Sequence, residues 1–277
     1  MKFNERLQAL YMKIFFLLIL FLAFEALTPA SFAQVQRIMV VKSYPMFTIQ
    51  ANVDYNQSYL ELNGTYNNDF QSVEYLKGSV LGVDKGLGGS VTSKIALSER
   101  GRLRLNLSLS YNNFKTYLFG NKSFISDVGR SSVNIMSLGV GFEHNFTPNY
   151  KYKIYLGAEG TANMINGHST IWVFVGGTSG YTYDVTIKNS FRIGAAIFGG
   201  TEYMISDKFG LSLGFKYHVA NLLLKSAKAS DDPYSFQLRD AEDPNIKYAG
   251  KKTLAFITIM AGANFYWGVE TKRYTIK

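Results

Sequence analysis

Apolar and polar residues alternate with a period of two in eight separate stretches of this chain, and few folds accommodate that pattern. In the clearest stretch, Leu103, Leu105, Leu107, Leu109 and Tyr111 interleave with Arg104, Asn106, Ser108 and Ser110. Successive side chains of a strand point to opposite faces, so each stretch predicts a strand with one greasy and one polar side. The scheme recurs over 47–55, 136–142, 152–159, 191–197, 211–219 and 257–265. It is weakest over 86–97, where Val91, Ile95 and Leu97 oppose Ser90, Thr92 and Lys94.

The links between these stretches are short and long in turn. Ser98-Glu99-Arg100-Gly101, Thr147-Pro148-Asn149-Tyr150 and Ser206-Asp207-Lys208 have the composition of tight turns. Links 58–85, 118–132, 165–188 and 225–251 are long. Short turns on one rim and long loops on the other predict an all-β, eight-stranded antiparallel up-and-down transmembrane barrel with periplasmic turns and external loops. The even strand count returns both ends to the turn side.

A soluble barrel would alternate too, but with its apolar face inside. Two features favour the opposite orientation. Gly139, Gly141, Gly157, Gly194, Gly200, Gly214 and Gly262 fall on the polar face, as a narrow interior filled by long charged side chains requires. Aromatics make up 15% of the chain, and Phe47, Phe146, Tyr150, Tyr152, Tyr203, Phe209, Phe265 and Trp267 gather where strands meet turns, as an interfacial belt does.

The start of the chain predicts export. Lys13 precedes an apolar run over 14–24 and then Ser31-Phe32-Ala33, the pattern of a signal peptide over 1–33 cleaved after Ala33. Met12 begins a better signal than Met1, which leaves residues 1–11 as an upstream stretch outside the translated protein. Residues 34–45 then form a short N-terminal segment, 46–267 the barrel and 268–277 a short basic tail. There is no cysteine, so neither a disulfide nor a lipid-modified cysteine is expected. The net charge of +9 suits acidic surfaces, whereas an exported chain rarely meets nucleic acid.

Gly199-Gly200-Thr201-Glu202-Tyr203, Ser206-Asp207-Lys208 and Leu211-Ser212-Leu213-Gly214, with the strand rhythm of 46–267, resemble the small outer-membrane barrels of the OmpA and OmpX type. The resemblance implies the outer membrane of a Gram-negative-type bacterium, with outer-membrane lipids as neighbours. It departs at the end: such barrels commonly finish on an aromatic residue, while this chain runs past Trp267 to Lys277. Either Phe265 supplies that signal or the last strand lies elsewhere.

Three constellations are candidates for function. Lys94, Arg104, Glu143, Lys153, Glu159, Arg192, Glu202 and Lys216, together with Arg102 and Asp54, fall on the polar face. Buried charges are costly unless paired, so these predict a salt-bridged plug or, failing that, a gated pore; Glu143 and Lys153 are placed to meet across the 147–150 turn. The second constellation is His168-Ser169 beside an external loop. A lipid A-modifying hydrolase would need such a pair, but adjacent strand residues point to opposite faces, and no catalytic residue is assigned. His144 reads as interfacial and His218 as part of the inner network. Scattered histidines predict no metal site, and no cofactor is expected. The third is link 165–188, whose Trp172, Phe174, Tyr181 and Tyr183 flank a glycine-rich turn and read as a hairpin extending two strands, with an edge for a partner strand. Link 225–251, rich in acids, reads as a solvated or flexible crown. The expected function is non-enzymatic: a membrane anchor whose loops bind surface ligands or other envelope proteins, ahead of a narrow passive channel and a lipid A hydrolase.

Overall fold

The computed structural model describes residues 38–42, 44–63, 81–98, 101–119, 128–175, 179–228, 235–242, 252–269 and 271–275. The signal peptide expected over 1–33 and the acids Asp231, Asp232 and Asp243 lie outside these. All regular structure among the described residues is strand. Eight strands build the wall: β1 (Phe47–Leu60), β2 (Lys85–Ala96), β3 (Leu103–Phe119), β4 (Val128–Asn145), β5 (Tyr152–Val175), β6 (Ser179–Met204), β7 (Phe209–Leu223) and β8 (Leu254–Trp267). Each pairs antiparallel with its sequence neighbours, and β8 pairs with β1 from Leu254↔Leu60 to Trp267↔Phe47. The sheet is therefore a closed, eight-stranded antiparallel barrel, the architecture that the alternation and the OmpA/OmpX-type resemblance implied.

The last strand lies where the alternation put it, with Phe265 and Trp267 half exposed near its turn end. Beyond it, Thr271–Thr275 pairs with Ile38–Lys42 in a separate two-stranded sheet. Gly101 shows why the β2–β3 turn is tight: its φ is +64°, a left-handed conformation that glycine adopts without a Cβ penalty, and its N–H donates to Ser98 O at 2.8 Å.

The wall is apolar outside and polar within. Leu103, Leu107, Leu109, Leu138, Val140, Phe142, Leu156, Ile197, Leu213, Phe215 and Ile259 are all outward and largely exposed. Along β3 the apolar positions 103–111 span ~27 Å of strand, or ~20 Å of height once a barrel strand's usual tilt is allowed for. With the aromatic rim added, that approaches the ~25 Å apolar band of an outer-membrane barrel, and in water so broad a greasy belt would drive association. At the turn rim, Tyr152 pairs with Tyr203, Phe47 packs on Trp267 at 5.5 Å and Phe209 on Phe265 at 5.7 Å. These form the expected aromatic belt. Inside, Gly141 allows close packing: a Cβ there would sit 2.1 Å from Ala158 O and 2.5 Å from the Glu159 Cα.

Candidate functional site: the sealed lumen and the outer rim

The inward face divides into two zones. Near the turn rim, Lys94 of β2 and Arg104 of β3 meet Glu143 of β4 and Glu202 of β6. Lys94 Nζ lies 2.8 Å from Glu202 Oε1 and 3.3 Å from Glu143 Oε2. Arg104 Nη2 donates to Glu202 Oε1 at 2.8 Å and also contacts the Glu143 carboxylate. Two cations and two carboxylates, all buried, cancel; the cluster is neutral as a unit, which a low-dielectric interior demands. Asn106 Nδ2 donates to Glu143 Oε2 at 2.8 Å. The Tyr155 ring lies 4.0 Å from Lys94 Nζ, a cation–π contact that closes the cluster on its inner side.

One level deeper, Lys216 Nζ of β7 donates to Glu159 Oε1 of β5 at 2.8 Å, and Ser108 Oγ of β3 donates to Glu159 Oε2 at 3.0 Å. Ser90 Oγ donates to Asp54 Oδ1 at 3.1 Å. The two bonds to Glu159 join strands that are not neighbours, as does Lys94–Glu202 between β2 and β6, so side chains span the lumen. The space left among Gln50, Lys94, Asn106, Tyr155, Glu159 and Lys216 is about 20 Å³, room for about one water molecule. Above this level Thr161 and His218 share a hydrogen bond of 2.9 Å, and His218 rests against Phe256.

Toward the external mouth the inward face turns apolar. Phe114, Val133, Ile135, Ile165, Val185, Ile187, Leu254 and Phe256 from the strands pack with Leu62, Leu81, Val83 and Leu238 from the loops. Phe114 meets Phe256 edge to face at 5.1 Å. The alternating stretches mark a polar inward face over the lower part; above them this apolar plug is joined by buried polar groups such as Ser131, Asn221 and Arg192.

Several sequence expectations about individual residues change. Lys153 does not meet Glu143: its register partner is Glu202, Glu143 faces Gly157, and the ammonium donates to Pro148 O and Tyr150 O. Lys153 thus holds the β4–β5 turn. Arg102 is exposed at the rim. Arg192 leaves the lower network altogether and clasps Asp240 with two bonds of 2.9 Å. Asp240 also accepts from Asn221 Nδ2 at 2.8 Å and Ser226 N at 2.9 Å, and Leu238 O accepts from Arg192 Nη2 at 2.9 Å. The described part of link 225–251 is therefore folded into the mouth, where Leu238 and Asp240 are buried, and is no solvated crown. Only the 48-residue separation in sequence hid this contact from the periodicity argument.

The hydrolase constellation is taken apart by the wall. Ser169 Oγ points inward, fully buried, 2.8 Å from Ser131 Oγ. His168 points outward, with its Nε2 3.7 Å from Asp184 Oδ1. His144 lies outside against Phe146 at 4.8 Å. Among the described residues no group of three or more metal-ligating side chains comes together.

Link 165–188 is a hairpin in which β5 and β6 continue to Val175 and Ser179, with a register shift between Ile165 and Gly167. Trp172 pairs with Thr182, Ile171 with Tyr183, Val173 with Tyr181 and Phe174 with Gly180. Tyr181 is well exposed and Trp172 half-buried; the side chains of Phe174 and Tyr183 lie outside the described set. The free edge that β6 would offer is partly taken, since Ser235–Phe236 adds a short parallel strand at Thr186–Ile187.

No family model matches the chain, nor does any curated protein. Among solved structures it is similar to Neisserial surface protein A, with 15% identity and a TM-score of 0.44 over 82% of this chain and 99% of that one. It is similar to the outer membrane protein OprG from Pseudomonas aeruginosa, with 12% identity and a TM-score of 0.43 over 85% and 100%. For Ail, the attachment invasion locus protein of Yersinia pestis, the values are 9% and 0.34 over 82% and 100%. The fold assignment itself rests on strand pairing and on the outward apolar band.

Proposed function

We propose that the protein is a non-conducting, non-enzymatic anchor of the bacterial outer membrane, whose external rim and β5–β6 hairpin present a binding surface. The observation that carries this reading is the double seal of the lumen. A neutral cluster of buried charges closes the turn end and an apolar plug closes the mouth. A channel would need both to part. The energetic obstacle is considerable, because separating a buried ion pair costs ~3–5 kcal/mol per broken partner. An anchor, by contrast, uses the lumen only for stability and leaves recognition to what projects beyond the bilayer.

The hairpin fits that role because it is built on the wall. Twenty-four residues of β5 and twenty-six of β6 run as continuous strands, so Trp172 and Tyr181 stand on a stiff ribbon. Replacing residues 167–187 by a short turn is expected to leave the barrel assembled, read as a heat-dependent shift in electrophoretic mobility, while abolishing adhesion of cells bearing it. Adhesion that survives the deletion overturns the hairpin's role. Regular single-channel steps from the intact protein in planar bilayers overturn the sealed anchor.

A further inference from the structure

The outer wall above the apolar band carries two ordered layers. The top of the band is Tyr111, Met136, Met164 and Phe191, paired strand to strand around β3–β6. Two residues higher stands a ladder of asparagines. Asn113 Nδ2 donates to Asn134 Oδ1 at 2.5 Å, Asn134 Nδ2 to Asn166 Oδ1 at 3.0 Å, and Asn166 Nδ2 to Asn189 Oδ1 at 2.9 Å. Tyr111 Oη ties the band to this ladder by donating to Asn134 at 3.0 Å. One layer higher again come the cations. Lys85 of β2 lies directly opposite Lys115 of β3, His168 of β5 is opposite Ser132, and Arg130 of β4 stands just above. These side chains are exposed and border a groove of about 580 Å³.

We propose that Lys85, Lys115 and Arg130, with His168 at their margin, bind the phosphate groups of glycolipids in the outer leaflet. The inference rests on the membrane placement proposed above. Three observations support it. Like charges placed directly opposite across strands destabilise a sheet, and an anion seated between Lys85 and Lys115 relieves that repulsion. Of the described carboxylates beside the groove, Asp84 accepts from Gln57 Nε2 at 2.5 Å, and Asp184 accepts from Thr170 Oγ1 at 2.7 Å and lies 3.7 Å from His168 Nε2; neither forms an ion pair with Lys85 or Lys115. Height is the third. From Tyr111 to Lys115 is ~14 Å along the strand and ~10 Å vertically, close to the headgroup layer, and long cationic side chains reach a few ångströms further down. The row also faces sideways from the wall, toward neighbouring lipid. A soluble polyanion would be met by cations at the tips of the loops.

The full mature chain would be inserted into phosphatidylcholine nanodiscs, with insertion read by the heat-dependent mobility shift. Retention of bisphosphorylated lipid A and of its dephosphorylated form would then be compared by native mass spectrometry. The expected result is about tenfold or greater preference for the phosphorylated lipid in the parent, lost in a K85Q/K115Q/R130Q variant that inserts normally. Equal retention of the two lipids overturns the proposal, as does a preference that survives in the variant. Binding of a sulfated oligosaccharide by the parent without phosphate-dependent lipid retention overturns it in favour of a soluble polyanion. Failure of the parent to insert removes the membrane placement itself, and the lipid site with it.

Discussion

At the scale of single residues, the protein's stability hinges on balanced charge in a space with room for about one water molecule. Glu202 accepts from both Lys94 and Arg104, so Glu202→Gln leaves two buried cations facing Glu143 alone. We expect a loss of ~3–5 kcal/mol, measured by urea titration of the protein in phosphatidylcholine vesicles. Adding Lys94→Met restores one cation to one carboxylate, and the double variant should be more stable than Glu202→Gln. A double variant showing the plain sum of both losses would mean that the cluster does not act as a unit. Gly141→Val belongs to the same scale. With Ala158 O 2.1 Å from any added Cβ, overpacking should cost ~1–3 kcal/mol or prevent assembly, seen as loss of the heat-modifiable band.

At the scale of elements, the link between β7 and β8 is the part that periodicity could not describe. Its anchor is the Arg192–Asp240 clasp, supported by Asn221 and Ser226. Asp240→Ala should free the segment while the wall stays closed. Trypsin added to vesicles carrying the variant should then cut after Lys225, Lys228 or Arg239 at least about tenfold faster than in the parent, since cleavage follows the population of the open form. Unchanged cleavage would mean that Leu238 in the apolar plug holds the link without the clasp. The strands themselves were legible because wall and lumen impose opposite demands on alternate residues. The turns were legible from Gly101, Pro148 and Asp207. What escaped was set by contacts distant in sequence: Asp240 against Arg192, and the apolar plug of Phe114, Ile135 and Phe256, which continues the polar face's register with a different chemistry. The role of Lys153 escaped for a related reason, because a lysine that binds turn carbonyls has the same sequence pattern as one that pairs with a carboxylate.

At the scale of the whole molecule, the protein is a barrel whose sides are reversed relative to a soluble one. Its apolar residues face lipid, its charges fill the lumen, and its outer wall passes from greasy band to asparagine ladder to cationic row. Such a wall needs only alternation, and sequence can drift while the two faces persist. The eight inward charges named from the sequence do not form one network; they fall into the Glu202 cluster, the Glu159–Lys216 pair, the Lys153 turn clamp and the Arg192 clasp.

The chain contains no cysteine, which makes the orientation of the wall directly measurable. Single cysteines at Leu107 and Ser108, neighbours on β3 facing opposite ways, would be nitroxide-labelled in the membrane-inserted protein. Their collisions with oxygen, which concentrates in lipid, and with a water-soluble nickel chelate would then be compared. The account predicts a label at 107 that meets oxygen freely and nickel hardly at all, and a site at 108 that is shielded from both reagents. A label at 108 exposed to nickel, with 107 shielded from both, would turn the barrel inside out and contradict the account at its centre.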